Sequence, residues 1–184
     1  MRYLMRHRSA WQAGSFSIED ADGRCSYRVS GGDASPGGAV VLEDSQGVPL
    51  SSMRFTSADH AHTCEIRHDQ HQVQVVRSEV SARRIRFRIT LQDEVLVAQG
   101  NIGQDEYVVR HGLRRLAAVS KKGVRDTGAF GVEIAPGTDD VLLLSIVLAI
   151  SILTDSLTPP PAPPPPAPDA GGNRSAGGAA PERR

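Results

Sequence analysis

The most strongly charged stretch of the sequence runs from Arg83 to Ile89 and alternates arginine with apolar residues. Side chains on a β-strand point alternately to its two faces, so the pattern predicts a strand with Arg84, Arg86 and Arg88 on its outer face. The inner face would then carry Ile85, Phe87 and Ile89. Guanidinium groups spaced ~6.6 Å apart along one strand can hold phosphate groups, either of lipid headgroups or of a nucleic-acid backbone.

This run of charges also has a simpler interpretation. It can be a solvated face of a sheet whose arginines pair with acids on neighbouring strands, for example Glu79 or Glu94. The chain has 21 basic and 21 acidic residues and a formal net charge of zero, so its overall charge does not favour binding to nucleic acid. The sequence leaves phosphate binding and a solvated face open.

A second run contains candidate metal ligands, because His60, His62 and Cys64 would share one face of a strand. Imidazole and thiolate groups are good zinc ligands. However, Cys64 also fits an inward alternation with Ile66, which would turn the histidines towards the core or a strand end. Zinc sites usually have denser ligand spacing, and no HExxH element accompanies this run. We therefore expect no metal and no other cofactor.

The glycine pairs of the chain, at 31–32 and 37–38, do not indicate a nucleotide site. They lack the strand-to-helix context that a phosphate-binding loop needs. Nothing in the sequence resembles a nucleophile elbow or a pair of catalytic carboxylates. We expect a protein without enzymatic activity, although a fold alone does not exclude chemistry.

Two kinds of element must position these residues, and the first is an apolar helix. From Val141 to Leu153 the chain carries no charge, and a helix that is apolar all round must be buried on every side. Its length of roughly 20 Å falls short of the ~30 Å of a membrane interior. We predict a buried helix over 139–156, capped by Thr138 or Asp139, and no transmembrane segment. Its core residues are Val141, Leu142, Leu144, Ile146, Leu148, Ile150 and Leu153.

The second kind of element is the β-hairpin. Between residues 3 and 135, short runs alternate apolar with polar residues and are separated by turn residues. The runs occupy 16–20, 25–29, 40–44, a stretch ending near 55, 64–68, 72–76, 85–89, 95–98, 106–110, 116–120 and 129–134. Such half-buried strands need cover for one face, and the helix needs cover on all sides. The sequence therefore predicts a mainly β domain over 1–157, a closed antiparallel β-barrel of about twelve strands around the C-terminal helix.

The last part of the chain, 158–184, has a different composition, rich in proline and then in glycine and alanine. Such a segment cannot bury enough surface to offset its ordering entropy and is predicted to be a disordered tail. Its PxxP spacings, such as Pro160 to Pro163, could recruit a protein partner. Cys25 and Cys64 are too few for a disulfide framework, and the N-terminus lacks an apolar signal region, so we expect a reducing, cytoplasmic setting.

Several stretches resemble the LURP-one-related family of the Tubby C-terminal-like superfamily, which also includes the phospholipid scramblases. They are residues 3–5, 16–23, 118–122 and 130–134, followed by the Asp139-Asp140 pair and the apolar helix. The resemblance implies a twelve-stranded barrel around a central helix. In Tubby-type relatives, basic side chains on the barrel surface bind phosphoinositide headgroups, and the resemblance implies no agreed enzymatic activity.

The functional hypothesis from the sequence is therefore a binding module that associates peripherally with anionic phospholipid or phosphoinositide through Arg84, Arg86 and Arg88. One alternative is a protein-interaction scaffold that uses the barrel surface and the proline-rich tail. Another is nucleic-acid binding, which the neutral net charge makes less favourable.

Overall fold

The computed structural model describes residues 1–7, 16–31, 38–58, 61–81, 84–124 and 128–155. The predicted tail, 158–184, lies outside the described residues. Within these ranges one α-helix, α1, spans Asp140–Asp155, and a short 3-10 helix spans Ile102–Gln104. The strands are β1 Arg2–His7, β2 Phe16–Asp20, β3 Cys25–Gly31, β4 Ala39–Asp44, β5 Pro49–Ala58, β6 Ala61–His68, β7 His71–Ser81, β8 Arg84–Leu91, β9 Glu94–Asn101, β10 Glu106–His111, β11 Arg114–Ser120 and β12 Ala129–Ile134.

These strands form a closed β-barrel. Each pairs antiparallel with its neighbours in sequence, and β1 pairs with β12 to close the ring. Closure leaves none of the twelve strands with an unpaired edge. The predicted antiparallel barrel of about twelve strands is confirmed.

Alternation along each strand explains why the sheet closes around an apolar interior. In β7, for example, Val73 and Val75 are fully buried while Gln72 and Gln74 are exposed. The structure extends most strands beyond the runs read from the sequence and adds β1, which was not among those runs. Backbone pairing can extend a strand where the side-chain pattern has already become polar.

Helix α1 fills the barrel. Leu144, Ile146, Leu148 and Ile150 are fully buried, and hydrophobic residues from all around the barrel belong to the same core. Of the predicted core residues, Leu142 and Leu153 are also buried, and Val141 is partly buried. Within the described residues, no helix has both the length and the apolar character needed to cross a membrane.

Polar contacts fix the start of the helix. Asp139 is the N-cap, because its Oδ1 accepts a hydrogen bond from the backbone N–H of Leu142 at 3.0 Å. Thr138 instead donates its hydroxyl hydrogen to the backbone oxygen of Ala135 at 2.6 Å, so it is not the cap. The hydroxyl of Tyr3 donates a hydrogen bond to Oδ2 of Asp140 at 2.6 Å. Burial raises the pKa of the Tyr3 hydroxyl.

One polar pair lies inside the barrel, where Ser51 Oγ and Ser145 Oγ are 2.6 Å apart. Ser145 also donates to the backbone oxygen of Val141 at 2.8 Å, so its single hydrogen is used and Ser51 is the donor of the pair. Both serines are buried. The hydrogen-bonded pair lets α1 carry a serine through the apolar interior and ties the helix to β5.

The two ends of the barrel differ. The end that we name the turn end carries the tight turns that follow β2, β4, β6, β8 and β10, together with the start of α1. The opposite end carries the last residues of β1, β3, β5, β7, β9 and β11 and the short 3-10 helix that follows β9. Any surface site on the barrel wall can therefore be located by its strand and by its distance from the turn end.

Candidate functional site

The arginine-rich strand predicted from the sequence is β8. Its Arg86 and Arg88 side chains are exposed, and Phe87 and Ile89 between and beside them are fully buried. Arg84 begins β8, but its side chain lies outside the described residues. Two of the three predicted arginines thus lie on the outer face.

The barrel brings two further arginines next to them. Arg88 lies opposite Val97 on β9, and Val97 lies opposite Arg110 on β10. Arg110 in turn lies opposite Arg115 on β11, because a register shift follows Val109. Directly paired residues of an antiparallel sheet share a face. We name Arg86, Arg88, Arg110 and Arg115 the arginine face.

The spacing within the arginine face follows from sheet geometry. Neighbouring strands lie ~4.8 Å apart, so the backbones of Arg88 and Arg110 are separated by roughly 10 Å. Arg110 and Arg115 are directly opposed, roughly 5 Å apart at their Cα atoms. Two like charges in that position destabilise a sheet unless an anion lies between them. An anion bound between Arg110 and Arg115 would therefore stabilise the fold.

The arginine face has no acidic partners among the described residues. None of the ion pairs in this part of the chain involves its four arginines. In addition, the Nε of Arg110 is buried and has no hydrogen-bond partner there. Buried donors in proteins are normally paired, so this nitrogen stands out among the polar atoms of the arginine face.

The acids suggested as partners of these arginines do not lie opposite them. Glu79 pairs in register with Ile85, and its side chain lies outside the described residues. Glu94 pairs in register with Leu91 at the end of its hairpin and contacts His111, with Oε2 3.8 Å from Nδ1. Glu94 therefore contacts His111 and is not the partner of these arginines that the sequence suggested.

A shallow pocket of about 320 Å³ adjoins the arginine face. It is lined by Ile85, Arg86, Gln99, Gly100 and Val108. Gly100 has a φ of +145°, and a Cβ atom there would lie 2.5 Å from the backbone oxygen of Glu106. Only glycine allows this approach of β9 to β10, so the wall of the pocket at Gly100 is backbone. The pocket offers a guanidinium and an amide to a ligand group.

Glu106 on β10 has its backbone oxygen beside Gly100, and its carboxylate oxygens already have partners. The hydroxyl of Ser120 donates to Oε1 at 2.9 Å, and the backbone N–H of Lys121 donates to the same atom at 3.0 Å. These hydrogen bonds, that of Ser120 first, lower the pKa of Glu106. The negative charge of Glu106 is therefore held by Ser120 and Lys121 at the C-terminal end of β11, away from the arginine face.

The candidate metal ligands do not form a site within the described residues. Cys64 is fully buried, opposite Phe55 and Val75, and burial raises the pKa of its thiol well above the usual range. A protonated thiol is a poor metal ligand. His62 is partly buried, and His60 lies outside the described residues. Among the residues that are described, no group of three or more histidine, cysteine or acidic side chains could hold a metal ion.

A larger groove of about 520 Å³ crosses the outer face of β5 to β8. It is lined by amides and hydroxyls around Glu65, which accepts hydrogen bonds from Gln72 at 2.6 Å and from Arg67 at 3.1 Å. The sequence did not single this groove out, because alternating polar residues are what any solvated strand face shows. With its one carboxylate already engaged by Arg67 and Gln72, the groove is nearly neutral.

The sequence pattern predicts Arg86 and Arg88 on an outer face, but it does not indicate that Arg110 and Arg115 lie beside them. Arg110 follows Val109 in an ordinary alternating run, and Arg115 lies near a turn. The register shift after Val109 is what pairs them, and nothing in the local composition marks it.

Comparison with known proteins adds the family. No curated protein and no solved structure gives a significant match to the chain. The closed barrel with its C-terminal helix is consistent with the Tubby-like superfamily. A family match covers residues 1–151 and is to the LURP-one-related family. This match takes in the whole barrel and most of α1, and the chain belongs to the LURP-one-related family.

Proposed function

We propose that the protein is a non-enzymatic binding module that docks on anionic phospholipid headgroups through the arginine face. The observation that carries the proposal is the opposed pair Arg110 and Arg115, which has no carboxylate partner among the described residues and includes a buried, unpaired Nε. A phosphate between the two guanidiniums removes their repulsion and accepts hydrogen bonds from both. The setting is peripheral, at the cytoplasmic surface of a membrane.

Arg86 and Arg88 extend this site over neighbouring headgroups. Arg88 lies in the same row as Arg110, and Arg86 borders the adjoining pocket with Gln99. Arginine suits this task because its planar fork donates two hydrogen bonds to one phosphate and keeps its charge at every physiological pH. The formal net charge of zero means that attraction to an anionic surface must come from a local cluster, and this face supplies one.

Co-sedimentation with vesicles tests the proposal. Wild-type protein is expected to pellet with vesicles that contain phosphatidylserine or phosphoinositide and to remain in the supernatant with neutral phosphatidylcholine vesicles. Changing Arg88, Arg110 and Arg115 together to Gln should weaken binding by about a hundredfold, since each basic residue near an anionic membrane contributes about 1 kcal/mol.

A matched variant controls for net charge. Arg24, Arg28 and Arg54 are also exposed, and they lie in the turn before β3, on β3 and on β5, away from the arginine face. Changing these three to Gln removes the same charge and should leave binding nearly unchanged. Equal losses in both triple variants would mean that only net charge matters, and no pelleting of the wild type would refute lipid binding altogether.

A further inference from the structure

The most exposed large apolar side chain of the described residues lies at the turn end, beside the arginine face. Leu113 is 97% exposed and sits in the turn between β10 and β11. Gly112 before it has a φ of +57°, a left-handed conformation that glycine adopts easily in a tight hairpin turn. Nothing in the described fold covers this side chain.

Two valines of β9 extend this apolar surface. Arg110 pairs with Val97. Because β9 and β10 are antiparallel, Gly112, two residues after Arg110, lies level with Val95, two residues before Val97. Val95 is 44% exposed and Val97 is partly buried. We name Leu113, Val95 and Val97 the tip patch. An exposed leucine alone needs no explanation, but an apolar patch rimmed by polar residues is typical of an interaction surface.

The rim of the tip patch is basic. Arg110 and Arg115 lie on the two strands of the hairpin, Arg114 follows Leu113 directly, and Arg88 lies across β9. The acids nearby, Asp93 in the β8–β9 turn and Glu94 at the start of β9, are fewer than these four arginines, and Glu94 already contacts His111. The charge around the patch is therefore net positive.

We infer that the β10–β11 hairpin is a membrane-insertion tip, with Leu113 entering the boundary between headgroups and acyl chains of an anionic bilayer. Apolar side chains of peripheral proteins bury ~5–10 Å into this boundary. Arg110, Arg114 and Arg115 lie within three residues of Leu113, or roughly 10 Å along the strands, so insertion at that depth brings their guanidiniums level with the phosphates. The inference rests on the proposed function and adds the orientation of the barrel, tilted so that the β10–β11 side of the turn end meets the membrane and the β4–β5 turn across the barrel stays clear of it.

Site-specific tryptophan fluorescence tests this orientation in the full chain. Trp11 is the only tryptophan, so Trp11→Phe supplies a background free of that signal. In this background Leu113→Trp is compared with Val48→Trp, because Val48 is also exposed, at 53%, in a turn at the same end but across the barrel and without a neighbouring arginine. With vesicles of phosphatidylcholine and phosphatidylserine, the emission of the Leu113→Trp protein should shift to the blue and be quenched by brominated acyl chains. The emission of the Val48→Trp protein should do neither.

Charge substitution gives a second readout. Leu113→Asp should weaken pelleting with the same vesicles by about tenfold, because it removes an apolar anchor and adds a repelled charge, while Val48→Asp should have little effect. If wild type pellets but the Leu113→Trp protein is not quenched and Leu113→Asp binds normally, the insertion tip is refuted and headgroup binding stands. If wild type does not pellet at all, headgroup binding fails and the insertion tip with it.

Discussion

The imidazole of His68 links the barrel wall to the start of the central helix, with its Nε2 3.0 Å from Oδ2 of Asp139. Its other nitrogen, Nδ1, is 2.7 Å from the backbone oxygen of Leu50. His68 is buried at the end of β6. Its contact and the N-cap of α1 use the two oxygens of the same Asp139 carboxylate.

We expect Asp139→Ala to lower the free energy of unfolding by about 1–3 kcal/mol, because it removes both the cap and the acceptor of His68. Asp139→Ser should lose less, since serine can still cap the helix. Urea unfolding of Asp139→Ser, His68→Ala and the double variant forms a cycle with an expected coupling of about 1 kcal/mol. A coupling of zero would show that the contact does not stabilise the helix, and His71→Ala, across the same turn, serves as a control.

A buried charge in the helix should abolish folding. Ile146 and Leu148 have no exposed surface, so Ile146→Asp or Leu148→Asp places a carboxylate where no partner exists among the described residues. The cost of several kcal/mol exceeds what a domain of this size can lose. We expect both variants to be insoluble on expression, whereas Val48→Asp at an exposed position should be soluble. A soluble Leu148→Asp that melts cooperatively would contradict a helix enclosed by the barrel.

The architecture could be predicted because it depends on patterns that each segment carries by itself. Alternation at Val73 and Val75 marks a half-buried strand, and the uncharged run around Ile146, interrupted only by Ser145 and Ser151, marks a helix with no solvated face. The candidate site depends on pairing between strands that are distant in sequence. Arg88 is aligned with Arg110 through β9, and Arg110 faces Arg115 only because the ladder shifts after Val109. A one-residue shift of register is decided by packing of the whole barrel and leaves no local signal.

The two cysteines should differ strongly in reactivity. Cys25 is exposed, whereas Cys64 is fully buried and burial raises the pKa of its thiol. Since the thiolate is the reacting species, a raised pKa and lack of access both slow alkylation of Cys64. Titration with a thiol reagent near pH ~8 should count one fast thiol in the native protein and two in guanidinium chloride. Two fast thiols in the native state would mean that β6 opens readily.

Glu106 should make the stability of the barrel sensitive to acid. Its pKa is lowered in the folded state by the hydroxyl of Ser120 and the backbone N–H of Lys121. A lowered folded pKa means that folding favours the carboxylate, so this stabilisation is complete above the ordinary pKa of glutamate, ~4.3, and is lost as the pH falls through the lowered value.

We therefore expect Glu106→Gln to have a lower melting temperature than wild type at pH ~7 and a smaller difference at pH ~3, where the wild-type carboxylate gains a proton. Ser120→Ala removes the main donor to Glu106 and should reproduce part of the loss of melting temperature at neutral pH. In the Glu106→Gln background, Ser120→Ala should lower the melting temperature less than it does in wild type. Thermal unfolding followed by circular dichroism across this pH range measures all four proteins. A difference between wild type and Glu106→Gln that did not change with pH would show that shape at position 106, and not its charge, stabilises the end of β10.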